Sequence, residues 1–152
     1  MKILVIGAGA VGGYFGGMLV KGGEVVTFVA RGKYLDSLKT AGLRIRSHEG
    51  DLSLNVHAVR NPEEAGEVDL ILMRVKSYDT KASTLQCMRN IGNNTVVLSL
   101  QNGVDNEEII GEIAGRDRVL GGVVLIASEL NESWEILHYY AGKIIMGELD
   151  GN

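Results

Sequence analysis

The residues best suited to chemistry in this chain stand just after short apolar runs. Gly7-Ala8-Gly9-Ala10-Val11-Gly12 spells G-x-G-x-x-G directly behind Lys2–Ile6. In such a turn the first glycine lets the chain swing off a strand, and the second leaves the backbone bare for a pyrophosphate. The third lets the following helix lie close to the strand. Unpaired N–H groups at that helix's start then face the phosphates. Arg31 follows a second run, Glu24–Val29, with Lys33 beside it. An acid at this distance from the glycines would bond a ribose 2′-hydroxyl. No acid occurs between Val25 and Asp36. A guanidinium grips a 2′-phosphate with two bonds, where a carboxylate would repel it. The expected ligand is therefore NADP rather than NAD, the bland alternative being a solvated loop arginine. Lys76 follows Val68–Val75, and Asn102 follows Thr95–Leu100. Lys76 is either a point charge for a phosphate, ribose or substrate carboxylate, or an ordinary surface lysine. Asn102 precedes a glycine, so it is either a turn residue or an amide aimed at a ribose or substrate hydroxyl.

These positions need strands and helices in alternation, and the sequence supplies them. Val11, Tyr14, Phe15, Met18 and Leu19 recur at helical spacing and stop at Lys21-Gly22-Gly23. Tyr34, Leu35 and Leu38 predict a short helix ending at Gly42. Leu43 and Ile45, then Leu52, Leu54, Val56 and Ala58, alternate with polar residues about His48-Glu49-Gly50-Asp51, which predicts a β-hairpin. Asn61-Pro62 opens a helix, Tyr78–Met88 forms another, and Asp105 with Glu108 reads as a capping box before a helix over Asn106–Ala114. Val119–Ala127 is a further strand; Trp134–His138 and Lys143–Gly147 are two short ones. The expected fold class is α/β: a Rossmann-like, doubly wound parallel sheet with a small β-hairpin insertion and extra C-terminal strands.

The totals agree with one domain. The chain has 152 residues, 45% hydrophobic and 22% charged, with net charge −4 and no basic run, so neither nucleic acid nor a membrane surface is an expected partner. Residues 3–20 carry no charge and follow Met1-Lys2, which imitates a signal peptide or a span. Six glycines in that stretch, and a strand straight after it, argue against both. One cysteine, Cys87, allows no internal disulfide and fits a reducing cytoplasm. His48, His57 and His138 stand apart from it, so no metal site is expected.

Gly7-Ala8-Gly9-Ala10-Val11-Gly12-Gly13, Ala30-Arg31, Val75-Lys76-Ser77 and Gln101-Asn102-Gly103 together resemble the ketopantoate reductase (2-dehydropantoate 2-reductase) family. So does the stretch His138, Gly142 and Ile145-Met146-Gly147-Glu148. The resemblance implies NADPH-dependent reduction of a small 2-keto acid to a 2-hydroxy acid, in pantothenate and coenzyme A synthesis. It implies that Gly7 to Gly12 hold the pyrophosphate and Arg31 the 2′-phosphate end. Lys76 and Asn102 would line the cofactor site, Asn102 nearest the reacting carbon, with Ala127-Ser128 beside the nicotinamide.

The chain also departs from the family. Members run to roughly twice this length, with a helical second domain that carries the proton-donating lysine and most substrate contacts. Residues 1–152 thus form an NADP-binding domain, and no catalytic residue is assigned within it. An apolar face near the C-terminus, where a second domain would dock, could drive homodimerisation of residues 1–152 taken alone. Arg74 stands where a small or apolar residue is usual, in what should be a central strand; it either points to the ligand edge or pairs with an acid. Trp134, Tyr139 and Tyr140 suggest a small aromatic cluster, and His138 a structural histidine rather than an acid–base. The runner-up function is a non-catalytic NADP-binding sensor or regulatory module, and a third is a reductase of another 2-keto acid.

Overall fold

A computed structural model describes residues 1–150. Nine strands form one sheet in the order β4-β3-β9-β8-β7-β6-β1-β2-β5. The strands are β1 (Lys2–Ile6), β2 (Val25–Val29), β3 (Leu43–Ser47), β4 (Leu52–Leu54), β5 (His57–Val59), β6 (Val68–Met73), β7 (Ile91–Ser99), β8 (Val119–Leu130) and β9 (Glu135–Glu148). The helices are α1 (Ala10–Lys21), α2 (Gly32–Ala41), α3 (Thr80–Gln86) and α4 (Asn106–Ala114). The six strands from β5 to β8 are all parallel, as alternating strands and helices require. Along β1 the side chains divide between two cores. Ile3 and Val5 join the α1 and α2 side; Leu4 and Ile6 join a second cluster with Ile110 and Ala114 of α4. This is the Rossmann-like, two-faced architecture expected.

Beyond β8 the sheet turns back. β9 runs antiparallel to β8, β3 pairs parallel with β9, and β4 closes the edge. The predicted short strands Trp134–His138 and Lys143–Gly147 are parts of one 14-residue strand. Its register against β8 shifts twice, between Leu125 and Ile126 and between Ala127 and Ser128. Such bulges bend a strand and raise its twist, so the hairpin curls over α1. Gly142, at φ +132°, sits at one shift, where a Cβ would strike the Tyr14 hydroxyl at 2.6 Å. The apolar face expected near the C-terminus is the outer surface of this hairpin, where Val123, Leu125 and Ile145 are exposed.

The predicted hairpin is shorter than its alternating pattern. β3 and β4 form it, with Ser47 N–H held by the Asp51 carboxylate at 3.1 Å. Ala58 belongs instead to β5, which pairs parallel with β2 on the opposite edge of the sheet. Period-2 alternation reports a half-buried strand and says nothing of which strand it joins. The helix predicted at Asn61-Pro62 is one tight turn, Pro62–Ala65, with its capping box intact. At α4 the box is absent. Asp105 makes no capping bond, its backbone already being near-helical (φ −104°, ψ −6°).

Helix α1 explains the charge-free stretch at residues 3–20. It is apolar nearly all round because the curled sheet buries it on two sides. Gly16 faces Phe28 of β2, while Gly13 faces Ile136 and Gly17 faces Leu43 and Ile45. Among the described residues no helix is long and apolar enough to cross a membrane.

Gly16→Ala tests this close approach. The added Cβ would lie 2.5 Å from Cε1 of Phe28, a ring with no exposed surface. Alanine gains about 1 kcal/mol of helix propensity, but overpacking costs about 1–3 kcal/mol. The expected outcome is a lower urea midpoint; a midpoint raised by the full propensity gain would show that α1 stands further off.

Candidate functional site

The carboxyl edge of the parallel strands carries two adjoining clefts. The inner one, about 390 Å³, is lined by Gly7, Ala8 and Gly9, by Ala30, Arg31 and Tyr34, and by Pro62, Val75, Asp79, Ala82, Ser83 and Gln86. Each part follows from local structure. Gly7 takes φ +93°, a region that disfavours any side chain, and its Cα faces the Arg74 carbonyl so closely that a Cβ would lie 2.5 Å from it. A Cβ on Gly12 would collide with the Gly7 carbonyl, so the third glycine seats α1 on the turn. Gly9 is different. A Cβ there meets nothing within 4 Å; the open space beside it is the cleft itself. Gly9 caps α1 with no side-chain bond, and Gly13 N–H returns to its carbonyl at 2.7 Å. The amides of Ala10, Val11 and Gly12, with no earlier helical turn to bond, are the natural partners of an anion.

Arg31 stands two residues past β2 and is the N-cap of α2. It lines the inner cleft and also the outer one, about 700 Å³, together with Arg60, Asn61, Pro62, Glu63 and Gln86. Asp79, Ala82, Ser83 and Gln86 form one stripe at helical spacing along the wall opposite the glycines. The sequence predicts a helix over Tyr78–Met88, observed as Thr80–Gln86, but nothing in it marks this face as cleft-facing. Tyr34 stacks on Trp134 with centroids 5.5 Å apart. Its hydroxyl is buried without a partner, and burial pushes its pKa up to about 12.

The loops after β6 and β7 are tied together by polar side chains. Gln101 donates from Nε2 to the Val75 carbonyl and the Thr80 hydroxyl, both at 2.8 Å. Thr80 in turn donates to Asn106 Oδ1 at 2.9 Å, and Asn106 donates to the Asn102 carbonyl at 2.9 Å. Ser77 also donates to that carbonyl, at 2.8 Å. Thr80, Gln101 and Asn106 are buried. The network leaves the Asn102 side chain free at the mouth of a third cleft, lined by Gln101, Asn102, Gly103, Glu107 and Gly121 to Val124. It also fixes the backbone that carries Lys76, whose Nζ lies 5.9 Å from the Tyr78 ring centre.

The structure therefore brings Gly7, Ala8, Gly9 and Arg31 into one cleft, with Ala10, Val11 and Gly12 in the helix turn behind it. Lys76 and Asn102 stand on adjacent, bonded loops. Ser128 lies elsewhere, on β8 opposite His138, its hydroxyl buried without a partner. Arg74 is the first residue past β6 rather than inside the strand. It is half-buried, its Nε is unpartnered, and burial lowers its pKa; no carboxylate pairs with it among the described residues. The aromatic cluster does not form. Trp134 reaches Tyr34, while Tyr139 donates to Glu129 at 2.7 Å and Tyr140 is exposed. The register shift beside Tyr139 sends the two tyrosines away from the tryptophan. His138 is a buried pin. Its Nε2 lies 2.6 Å from the Ala141 carbonyl, which can only accept, so Nε2 carries the proton; Nδ1 then accepts from Ser47 at 2.8 Å.

Comparison with known proteins places this geometry. The family described as "Ketopantoate reductase PanE/ApbA" matches residues 3–151. The 2-dehydropantoate 2-reductase of Pyrococcus horikoshii is 39% identical over 133 residues, 87% of this chain and 42% of that protein. The crystal structure of 2-dehydropantoate 2-reductase from Geobacter metallireducens superposes with a TM-score of 0.92 at 36% identity, covering 97% of this chain and 49% of that one. D-mandelate dehydrogenase, in a ternary structure with NADH and anilino(oxo)acetate, superposes with a TM-score of 0.88 at 25% identity, covering 98% and 49%. The chain spans about half the length of the curated relatives it matches.

Thr80→Val probes the loop network. The change keeps the shape but removes a partner of both Gln101 and Asn106. Leaving buried polar groups unpaired costs about 1–3 kcal/mol, so thermal unfolding should occur at a lower temperature. An unchanged midpoint would show that the two loops hold their places without the hydroxyl.

Proposed function

The chain belongs to the ketopantoate reductase family, and from that premise we propose that it is the NADP-binding half of an enzyme that reduces 2-dehydropantoate to pantoate with NADPH, in pantothenate and coenzyme A biosynthesis. The observation that carries this reading is the inner cleft. There the bare backbone at Gly9, the cap of α1, lines the same space as Arg31, and arginine stands where an acid would read an unphosphorylated ribose.

Each group has a task of its own. The turn Gly7–Gly9 and the amides of Ala10, Val11 and Gly12 bind the pyrophosphate. Arg31 neutralises the 2′-phosphate with two parallel N–H bonds. Lys76 and Asn102, on loops fixed by Thr80, Gln101 and Asn106, orient the reacting end; Asn102 positions nicotinamide and keto acid. NADPH supplies the hydride, which is the cofactor's own chemistry. Ser128 is placed beside the nicotinamide by the family resemblance alone, its buried hydroxyl lying on β8 outside both clefts. The general acid and most substrate contacts lie outside residues 1–152 in this reading, so the chain alone binds nucleotide and turns over little keto acid. A second reading, a reductase of a different 2-keto acid, is favoured by the likeness to D-mandelate dehydrogenase. That structure contains NADH, which makes the cofactor preference at Arg31 the discriminating property.

Two variants separate binding from folding. Gly9 has φ −65° and free space around its missing Cβ, so Gly9→Val should fold, losing about 1 kcal/mol at most for the poorer helix cap. It should nonetheless weaken NADPH on the order of tenfold or more, because the side chain enters the phosphate path. Equal NADPH affinity in parent and Gly9→Val would remove the glycine turn from the site. Arg31→Ala should weaken NADPH on the order of tenfold while leaving NADH nearly unchanged, losing one charge-assisted pair. Fluorescence titration reads both, and a parent chain that binds NADH as well as NADPH would overturn the 2′-phosphate assignment. Rapid NADPH oxidation by this chain alone with 2-dehydropantoate would place the general acid inside it.

A further inference from the structure

We propose that Arg60, which no sequence motif marks, is a second guanidinium for the adenosine 2′-phosphate, acting with Arg31 as a pair that sets the preference for NADPH. The inference rests on the NADP reading above and adds a residue to it.

Strand pairing brings the two arginines together. Val29 of β2 lies opposite Val59 of β5, so the chain leaves both strands side by side at the carboxyl edge. The Ala30 N–H donates to the Val59 carbonyl at 3.1 Å and carries the pairing one residue past β2. Arg31 and Arg60 then line the same outer cleft, which opens into the glycine-lined one and shares Arg31, Pro62 and Gln86 with it. The backbone under Arg60 is held firmly. Asn61 N–H bonds the Glu64 carboxylate at 3.0 Å, and buried Asn90 donates to the carbonyls of Pro62 and Gly66 at 2.9 and 2.7 Å.

The charges at this site are unbalanced. Glu63, the one acid lining the cleft, is engaged by Arg89 at 3.2 Å. Arg44 and Arg46 share Glu135. Neither Arg31 nor Arg60 has a carboxylate within 4.0 Å among the described residues. Two guanidinium groups without a carboxylate partner line one cleft, and a phosphate dianion there can accept a bidentate bond from each. A monoanionic or neutral ribose edge would not.

The test uses fragments that isolate the 2′-phosphate. Calorimetric titrations with adenosine 2′,5′-bisphosphate, with 5′-AMP and with inorganic phosphate are run on the parent chain, Arg31→Ala, Arg60→Ala and Arg60→Lys. Circular dichroism checks that each variant is folded. The parent is expected to prefer the bisphosphate over 5′-AMP. Arg60→Ala should weaken the bisphosphate on the order of tenfold, the loss of one charge-assisted pair, and leave 5′-AMP within about twofold. Arg60→Lys should recover only part of that loss, since an ammonium keeps the charge and loses the fork. If Arg31→Ala weakens the bisphosphate and Arg60→Ala does not, the proposal is overturned and the NADP reading stands. If the parent shows no preference for the bisphosphate, both fail. If inorganic phosphate binds as tightly and responds equally to Arg60→Ala, the pair is a free-anion site and the assignment to the nucleotide is wrong.

Discussion

The distance between α1 and the sheet governs this structure. A Cβ on Gly12 would collide with the Gly7 carbonyl, and one on Gly16 would enter the Phe28 ring. Because neither exists, the helix lies against β1 and β2 closely enough to aim its first amides across the strand ends. The same absence on the helix's other flank, at Gly13 and Gly17, admits Ile136, Leu43 and Ile45. One run of small residues therefore does two jobs. It points the helix start at the cleft, and it makes room for the bulged β8–β9 hairpin to curl over. Helix stability suffers, since each glycine costs about 1 kcal/mol against alanine. Burial on two sides offsets that loss.

Around this fixed helix the cleft divides its labour between backbone and side chain. Backbone amides and a bare glycine face the expected pyrophosphate, a task that needs no chemical selectivity. Arg31 and Arg60 line the outer cleft, where the proposed 2′-phosphate would distinguish two cofactors. The loops between are not stiff by themselves; Thr80, Gln101 and Asn106 make them so, by spending buried donors and acceptors on one another. In the proposed function Lys76 and Asn102 meet the reacting end of the cofactor, and Thr80, Gln101 and Asn106 hold their loops from behind.

Much of this was legible in the residues. The glycine turn, its flanking strand and helix, and the parallel sheet follow from periodicity and from three glycines with separate mechanical roles. Arg31 stood out because an expected acid was missing. What the sequence hid was long-range pairing. Ala58 continues an alternating pattern that began at Leu43, yet the chain crosses to the other edge of the sheet to use it. Trp134–His138 and Lys143–Gly147 look like separate strands because two bulges break the alternation of a single one. Arg60 gave no local signal at all, since its place beside Arg31 is created by the partner of β2. The polar network was equally silent, joining residues 21 to 26 apart whose types, taken singly, read as turn and cap.

The pairing of β3 with β9 also sets an order of events. Ser47 and His138, which bond across that pair, are 91 residues apart in sequence. Until the chain has been made to that point, α1 has only one wall, and its Gly13–Gly17 flank with the apolar sides of Leu43 and Ile45 is open to water. Closing so long a loop is entropically costly and comes late. A nascent chain on the ribosome thus carries a half-covered apolar helix until β9, residues 135–148, has been made to shield it.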